Sequence, residues 1–290
     1  MTRFKHKKAV AEFIKGDDNR ALGVYLHERT QKLGPLDEQV IVFSEDPGFF
    51  ENPFAYDPID VINILSERKE SIDYLEVGVD QGFTFDNVKN TNIKHGVDPY
   101  GASENITHRM TSQMFFTMNR RFFNNKYDVI FLDGMHLTEF LNYEIFESLN
   151  ILKDNGIILL HDTCPYRESA QAILREDFDN ILRDVISADE KKRMSWHENT
   201  AKNEPIGYNG DVWKSVARFR STTDHTIFSI PNACMSVIIP ENIKAFKKPP
   251  LRFSSDISNL SWIDYYQNFE TIMNPVSMEY FVEHISDWLK

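Results

Sequence analysis

The chain has 290 residues and a formal net charge of -12 at pH 7, and this length suits one large α/β domain with additions at its ends. Such a negative chain repels a polyphosphate backbone. Its basic clusters, at residues 3–8, 191–193 and 244–248, are short and scattered, so we expect no nucleic-acid partner. The two cysteines, Cys164 and Cys234, are too few for a cysteine metal site or a disulfide framework.

The sequence gives no sign of export or of membrane insertion. Its first 16 residues are basic but lack the apolar core of a signal peptide. No apolar run approaches the length of about 18 residues that a membrane-spanning helix needs. We therefore expect a cytoplasmic location, no membrane partner, and a small molecule as the binding partner.

Composition divides the chain into three regions. Residues 1–56 combine helical patterns with a connector rich in proline and phenylalanine, and they predict a helical extension or a lid, with a packed linker as the alternative. Residues 57–245 form the predicted main domain. Residues 246–290 predict a helical extension whose aromatic side chains pack into the core. The aromatic-rich ends are also compatible with a homodimer.

The middle of the chain alternates short apolar runs with helical patterns. Strands are predicted at residues 72–78, 93–99, 106–112, 127–134 and 156–162, with two further runs at residues 225–230 and 234–240. Residues 137–152 show the repeat of a helix that lies on a sheet, and residues 169–186 predict another helix. This alternation predicts an α/β fold, a Rossmann-like, doubly wound and mostly parallel sheet of about seven strands with helical N- and C-terminal additions.

Four of the predicted strands end in an acidic residue, namely Glu76, Asp98, Asp133 and Asp162. In an open parallel sheet the ligand binds outside the carboxyl ends of the strands, where loops and helix N-termini gather. One acid at such a place would be an ordinary turn or capping residue. Four acids at the same topological position predict a shared functional site.

The loop after the first strand indicates what this site binds. Gly78 and Gly82 allow a tight turn and a close approach of the backbone to a ligand. The loop lacks the third glycine of a dinucleotide-binding turn, and Glu76 and Asp80 flank it. Because these carboxylates would repel a pyrophosphate, the loop suits a ligand that has no phosphates and carries a positive group.

Asp98 adds a second indication about the ligand. It lies 22 residues after Glu76, close to the spacing at which an acid at the end of the second strand binds the hydroxyls of a ribose. A turn-forming aspartate before Pro99 is an equal alternative on local evidence. A ribose and a cation without phosphates together indicate S-adenosylmethionine (SAM).

The chain resembles class I SAM-dependent methyltransferases. The resemblance is carried by the segments YLEVGVDQGFTF, HGVDPY, YDVIFLDGMH and NGIILLHD. The DGxH pattern, followed after a helix by His-Asp, is similar to the metal-dependent O-methyltransferases that act on sugars of macrolides and related glycans, of the methyltransferase domain 24 type. The match is best over residues 73–162. It implies methyl transfer to a hydroxyl of a sugar, a glycan precursor or another small polar metabolite, with residues 57–245 as the catalytic domain.

The resemblance also implies roles for individual residues. The residues that would line the cofactor pocket are Glu76, Gly78, Gly82, Asp98, Ser112 and Asp133, with Asp98 on the ribose and Ser112 near the adenine. A divalent ion, Mg2+ or Mn2+, would be bound by Asp133, His161 and Asp162. His136, beside Asp133, would be the general base, and the alternative for His136 is a histidine that caps or packs at a helix start.

One residue differs from the motif of the metal-dependent branch. His161 stands where the metal-dependent branch has a second acid, and an imidazole is a softer ligand that suits Mg2+ poorly. The site could therefore prefer Mn2+ or another transition ion, complete its shell with water and substrate hydroxyls, or bind no metal.

Two other classes of function stay open from the sequence. One is a nicotinamide-dependent Rossmann oxidoreductase, against which the acids around Gly78 and the missing glycine count. The other is a non-catalytic nucleotide-binding module, against which the combination of His136 with Asp133 and Asp162 counts. Residues 208–214 mix polar and aromatic side chains, which is compatible with a wall of the acceptor site or with an ordered loop before a helix.

Overall fold

The computed structural model of this chain describes residues 55–165, 209–240 and 257–288. The predicted helix at residues 169–186 and nearly all of the predicted extension at residues 1–56 lie outside the described residues. The three basic clusters and the predicted boundary after residue 245 also lie outside them.

The elements follow the predicted alternation. The α-helices of the described residues are α1 (Pro58–Glu67), α2 (Phe83–Asn87), α3 (Ser112–Met118), α4 (Thr138–Ile151), α5 (Trp213–Thr222), α6 (Trp262–Gln267), α7 (Phe269–Met273) and α8 (Met278–Trp288). The strands are β1 (Ile72–Val77), β2 (Thr91–Val97), β3 (Tyr127–Leu132), β4 (Leu152–His161), β5 (Thr226–Ile230) and β6 (Met235–Ile239). Among these helices, none is both long enough and apolar enough to cross a lipid bilayer.

The strands form one sheet in the order β2-β1-β3-β4-β6-β5. β1 pairs in parallel with β2 and β3, and β3 pairs in parallel with β4, whereas β6 runs antiparallel to its neighbours β4 and β5. The prediction of a Rossmann-like, mostly parallel α/β sheet is confirmed. The strand order reverses between β1 and β3, which is the topological switch point where such sheets bind their ligands.

The sheet has six strands in the described residues rather than about seven, because residues 106–112 do not form a strand. His108 alone pairs with Val97 of β2, as an isolated bridge. The guanidinium of Arg109 donates to two carbonyls of the loop after β2, and the hydroxyl of Thr111 already caps α3. The chain therefore leaves the sheet edge after one paired residue.

The central strands are buried on both faces. β1 and β3 are buried along their whole length, which is typical of a parallel sheet covered by helices on each side. Alternate residues belong to two hydrophobic clusters: Leu75 and Ile130 lie in one, whereas Tyr74 and Phe131 lie in the other. These mainly apolar segments of the sequence thus correspond to strands with two buried faces.

The described part of the C-terminal region belongs to the same core. Tyr265 and Phe269 are buried in the cluster that contains Leu75. Phe281 and Ile285 of α8 are buried in the other cluster. The prediction that the aromatic residues of the tail pack into the core is confirmed for these side chains.

Candidate active site

The carboxyl ends of β1 and β3 meet at Gly78. Its backbone has φ +89°, and a Cβ atom at this position would lie 1.9 Å from the carbonyl oxygen of Asp133. Only glycine therefore lets the two strand ends approach this closely. The N–H of Asp133 also donates to the carbonyl of Val77 at 2.8 Å. The loop after β3 is thereby fixed against the loop after β1, at the switch point of the sheet.

Two carboxylates and two imidazoles converge at this edge. The Nε2 atom of His136 lies 3.1 Å from Oδ2 of Asp162 and 3.9 Å from Oδ1 of Asp133. The Nδ1 atom of His161 lies 2.9 Å from Oδ1 of Asp133 and 3.2 Å from Oδ2 of Asp162. The structure brings together the four residues that the sequence proposes for base catalysis and metal binding.

The protonation of this cluster follows from its opposite charges. Burial alone would lower the pKa of His161, but the carboxylates of Asp133 and Asp162 outweigh burial and raise this pKa well above its ordinary value. Burial would raise the pKa of Asp162, yet the two imidazoles and the amide of Asn209 hold it below its usual range. Asp162 also has φ +57°, and non-glycine residues in this strained region concentrate at functional sites.

Asn209 supports the carboxylate of Asp162. Its side chain is fully buried, and its Nδ2 atom donates to Oδ1 of Asp162 at 2.6 Å and to Sγ of Cys234 at 3.1 Å. Its Oδ1 atom is buried and has no hydrogen-bond partner among the described residues. At the next residue, Gly210, a Cβ atom would lie 1.9 Å from the carbonyl oxygen of His136. This segment therefore packs directly against the loop of the proposed base.

Asp211, which follows Gly210, binds the start of helix α4. Oδ1 of Asp211 accepts the N–H of Thr138 at 2.8 Å, and the hydroxyl of Thr138 donates to the carbonyl of Asp211 at 2.6 Å. The first of these bonds satisfies a backbone donor at the start of α4. Trp213 is fully buried and belongs to the core. A wall of the acceptor site stays a prediction for this segment, and Tyr208 lies outside the described residues.

Asp98 holds the first loop in place. Its Oδ2 atom accepts the N–H groups of Val79 and Asp80 at 3.1 and 3.0 Å. Its Oδ1 atom accepts those of Tyr100 and Gly101 at 2.8 and 2.6 Å. Because a carboxylate offers about four acceptor positions, these backbone bonds occupy it fully. The structure supports the turn-forming alternative for Asp98, and ribose binding stays a prediction.

Glu76 is buried within the sheet edge rather than exposed to the loop. It is 1% exposed, and the hydroxyl of Tyr74 donates to its Oε2 atom at 2.5 Å. Burial raises the pKa of Glu76 to about 8, so the carboxyl group is mostly protonated at neutral pH. Gly82 precedes α2 as its N-cap residue, with φ +85° in the left-handed region. Contact of either residue with a cofactor stays a prediction.

A second buried acid, Glu144 of α4, lies beside the loop after β3. Its carboxylate oxygens lie 3.4 and 3.6 Å from the position of a Cβ atom built on Gly134. Burial raises the pKa of Glu144 to about 7, and a hydrogen bond from Ser112 partly offsets this effect. Ser112 is the first residue of α3 and is buried here. Contact of Ser112 with an adenine stays a prediction.

The donor atoms of the cluster fit a metal ion. Ligand atoms of Asp133, His136 and Asp162 all lie within 4.8 Å of one another, and Nδ1 of His161 faces the same two carboxylates. Carboxylate oxygens bind Mg2+ and Mn2+, whereas imidazole nitrogens suit transition ions. This mixed donor set therefore fits a divalent transition ion better than Mg2+, which prefers oxygen ligands only.

Comparison with solved structures finds methyltransferases. The alignment with an O-methyltransferase from Bacillus cereus in complex with S-adenosylhomocysteine (SAH) covers 74% of this chain and 96% of that chain, with 10% identity and a TM-score of 0.38. The alignment with the O-methyltransferase TomG from Streptomyces achromogenes, solved with SAM, covers 74% of this chain and 95% of that chain, with 10% identity and a TM-score of 0.39. The alignment with the MycE methyltransferase of the mycinamycin pathway, solved with Mg and SAH, covers 78% of this chain and 61% of that chain, with 15% identity and a TM-score of 0.35.

Comparisons of sequence give no match. No protein-family model matches this chain, and no curated protein matches it. The chain spans 61% of the length of MycE. These neighbours are 15% identical to this chain or less, and the resemblance to class I SAM-dependent methyltransferases stays an expectation.

Proposed function

We propose that this protein is a SAM-dependent O-methyltransferase, assisted by a divalent metal ion, that methylates a hydroxyl group of a sugar or another small polar metabolite. The observation that carries this function is the position of His136, whose Nε2 atom lies 3.1 Å from Oδ2 of Asp162 at the switch point of the sheet. A hydroxyl is a poor nucleophile at neutral pH, so a base beside carboxylates that can hold a cation suits this chemistry.

The first loop suits SAM better than a dinucleotide. Asp80, with φ +44°, lies in the turn between β1 and α2, and its N–H binds the carboxylate of Asp98 at 3.0 Å. The carboxylate of Asp98 already accepts the N–H groups of Val79 and Asp80, so these donors are not available to a pyrophosphate. The positive sulfonium of SAM is attracted to a negative edge. When SAM is bound, it supplies an electrophilic methyl group.

His136 carries out the proton transfer in this mechanism. Its imidazole takes the proton of the acceptor hydroxyl as the oxygen forms a bond to the methyl carbon. The bond between that carbon and sulfur breaks, and its electron pair stays on sulfur. The products are a methyl ether and SAH, with the proton on His136. The carboxylate of Asp162, at 3.1 Å, stabilises the imidazolium until the proton passes to water.

A divalent ion would be held by Asp133, Asp162 and His161, which leaves His136 available as the base. When bound, the ion supplies positive charge that stabilises the developing alkoxide. Sugars suit this arrangement because they carry adjacent hydroxyls, of which one would meet His136 and another would lie near the oxygen ligands of Asp133 and Asp162. This chemistry supports a carbohydrate as the acceptor class.

Formation of SAH tests this function. The purified full chain is incubated with SAM, a divalent ion and a panel of sugars and nucleotide-linked sugars, and SAH is measured by mass spectrometry. We expect SAH formation that depends on an acceptor. We also expect His136→Ala to lower turnover about 100-fold, the usual contribution of a general base, with SAH affinity retained.

The control for this measurement is His284→Ala. His284 lies on α8, and its Nδ1 atom contacts the carbonyl of Tyr280 in the same helix at 2.9 Å, so turnover of this variant should equal that of the wild type. Full turnover by His136→Ala would contradict its role as the base. Hydride transfer with a nicotinamide cofactor and no SAH formation would indicate the oxidoreductase instead.

A further inference from the structure

We propose that His161 makes this site select a divalent transition-metal ion over Mg2+. The inference rests on the proposed function, because it names the class of ion that assists the reaction. Its evidence is the arrangement of the donor atoms and the burial of the residues that carry them, and its test measures binding instead of turnover.

The donor atoms already have the spacing of neighbouring ligands around one ion. Metal–ligand bonds of about 2.1 Å place neighbouring ligand atoms about 3.0 Å apart in an octahedron and about 3.4 Å apart in a tetrahedron. Nδ1 of His161 lies 2.9 Å from Oδ1 of Asp133 and 3.2 Å from Oδ2 of Asp162. Both distances fall in this range, so Nδ1 of His161 and either carboxylate oxygen have the spacing of two neighbouring ligands of one ion.

The atom nearest to both carboxylates is a nitrogen. Mg2+ takes oxygen ligands in near-ideal octahedral geometry, whereas imidazole nitrogen binds well to transition ions. The side chain of His161 points Nδ1 at Asp133 and Asp162 together, and therefore occupies the place where a further oxygen ligand for Mg2+ would have to be. Because residue 161 is a histidine and not an acid, the ligand atoms at this place include a nitrogen instead of a further oxygen.

Burial of the site also disfavours Mg2+. The side chains of His161 and Asp162 are only 21% and 10% exposed, so an ion bound between them gives up much of its water shell. Mg2+ sheds water reluctantly.

Isothermal titration of the full chain with Co2+, Mn2+ and Mg2+ tests this selectivity, with each ion added separately to chelator-treated protein. Because nearly every site of nitrogen and oxygen ligands binds Co2+ more tightly than Mn2+, the preference of the wild type alone decides little. The decisive quantity is the ratio of the Co2+ and Mg2+ affinities, compared between the wild type, His161→Glu and His161→Gln.

We expect His161→Glu to lower the ratio of Co2+ to Mg2+ affinity about tenfold or more, through weaker Co2+ binding and tighter Mg2+ binding. His161→Gln should weaken Co2+ binding without improving Mg2+ binding. The control His284→Gln should leave the ratio unchanged. In the wild type loaded with Co2+, we also expect a paramagnetically shifted imidazole N–H resonance that disappears in His161→Gln.

An unchanged ratio in both His161 variants, with cooperative thermal unfolding that shows both to be folded, would overturn this inference. Wild-type protein that binds Mg2+ as tightly as Co2+, or that binds none of the three ions, would also overturn it. SAH binding is measured on the same samples. Retained SAH binding with no selectivity contradicts the metal inference alone, whereas selectivity without SAH binding contradicts the proposed function alone.

Discussion

Glu144 shows how the surroundings of one residue set the stability of the protein. Its carboxyl group is buried beside Gly134, and burial raises its pKa to about 7 from the ordinary value of 4.5. The folded state therefore binds this proton more tightly than the unfolded state. Between these two pKa values the unfolded state releases the proton while the folded state keeps it, so the free energy of unfolding falls as pH rises.

We expect Glu144→Gln to remove this pH dependence. The amide has no proton to lose, so the variant should lose less stability than the wild type between about pH 5 and pH 8. At pH 8 the variant should be more stable than the wild type by on the order of 2 kcal/mol. Urea unfolding at the two pH values measures this difference.

The matched control is Glu139→Gln in the first turn of the same helix. Glu139 is exposed, so this variant should follow the pH dependence of the wild type. If Glu144→Gln and Glu139→Gln gave parallel curves of stability against pH, the raised pKa of Glu144 would be contradicted.

The sequence predicted where the acids lie but not what surrounds each of them. Asp98, Asp133 and Asp162 could be placed at one edge because strand ends are visible in the apolar pattern. The four backbone N–H groups on Asp98 come from loop geometry, which spacing does not reveal. Asn209 is 47 residues from Asp162, and no local pattern signals that contact.

At the level of elements, buried strands were the easiest to predict. The strands β1 and β3 end within two residues of their predicted bounds, because each is a mainly apolar run that is followed within two residues by a glycine. Helix α4 lies within one residue of its predicted bounds at either end, because its apolar face repeats at the helical period.

The predicted strand at residues 106–112 failed for a reason that the apolar pattern does not contain. Hydrogen bonds of Arg109 to loop carbonyls and the capping hydroxyl of Thr111 turn the chain into α3. An edge strand gains pairing on one side only, so a few side-chain bonds are enough to end it. Edge strands are thus less predictable from sequence than central strands.

In the molecule as a whole, different sets of charged side chains lie at the carboxyl ends and at the amino ends of the parallel strands. The carboxyl edge gathers the candidate site, whereas the amino ends of β1, β3 and β4 carry a network of ion pairs. Asp128 lies 2.7 Å from Nζ of both Lys69 and Lys153, and Lys153 lies 2.6 Å from Asp73. The N–H of Asp73 also donates to Asp128 at 2.8 Å.

This network should support stability without contributing to the site. Burial would raise the pKa of Asp128, but the N–H of Asp73 and the two ammonium groups outweigh burial and lower it. A depressed pKa gives stability that is present above the pKa of the unfolded state, about 3.9, and is lost as pH falls through the pKa of the folded state.

We expect Asp128→Asn to lower the free energy of unfolding at pH 7 by about 2 kcal/mol, because it leaves two lysines without their shared partner. The variant should also show a smaller further loss of stability in acid than the wild type. Urea unfolding at pH 7 and pH 3 measures both effects. SAH affinity should not change, and Asp224→Asn, at an exposed site, is the neutral control.

Calorimetric titration of the purified full chain with SAH is the most direct test of the proposed function. The arrangement of acids and glycines at the switch point predicts saturable binding at one site, with a dissociation constant in the micromolar range, and no comparable binding of a nicotinamide dinucleotide. Absence of SAH binding, with and without a divalent ion, would contradict the assignment of this sheet edge to methyl transfer.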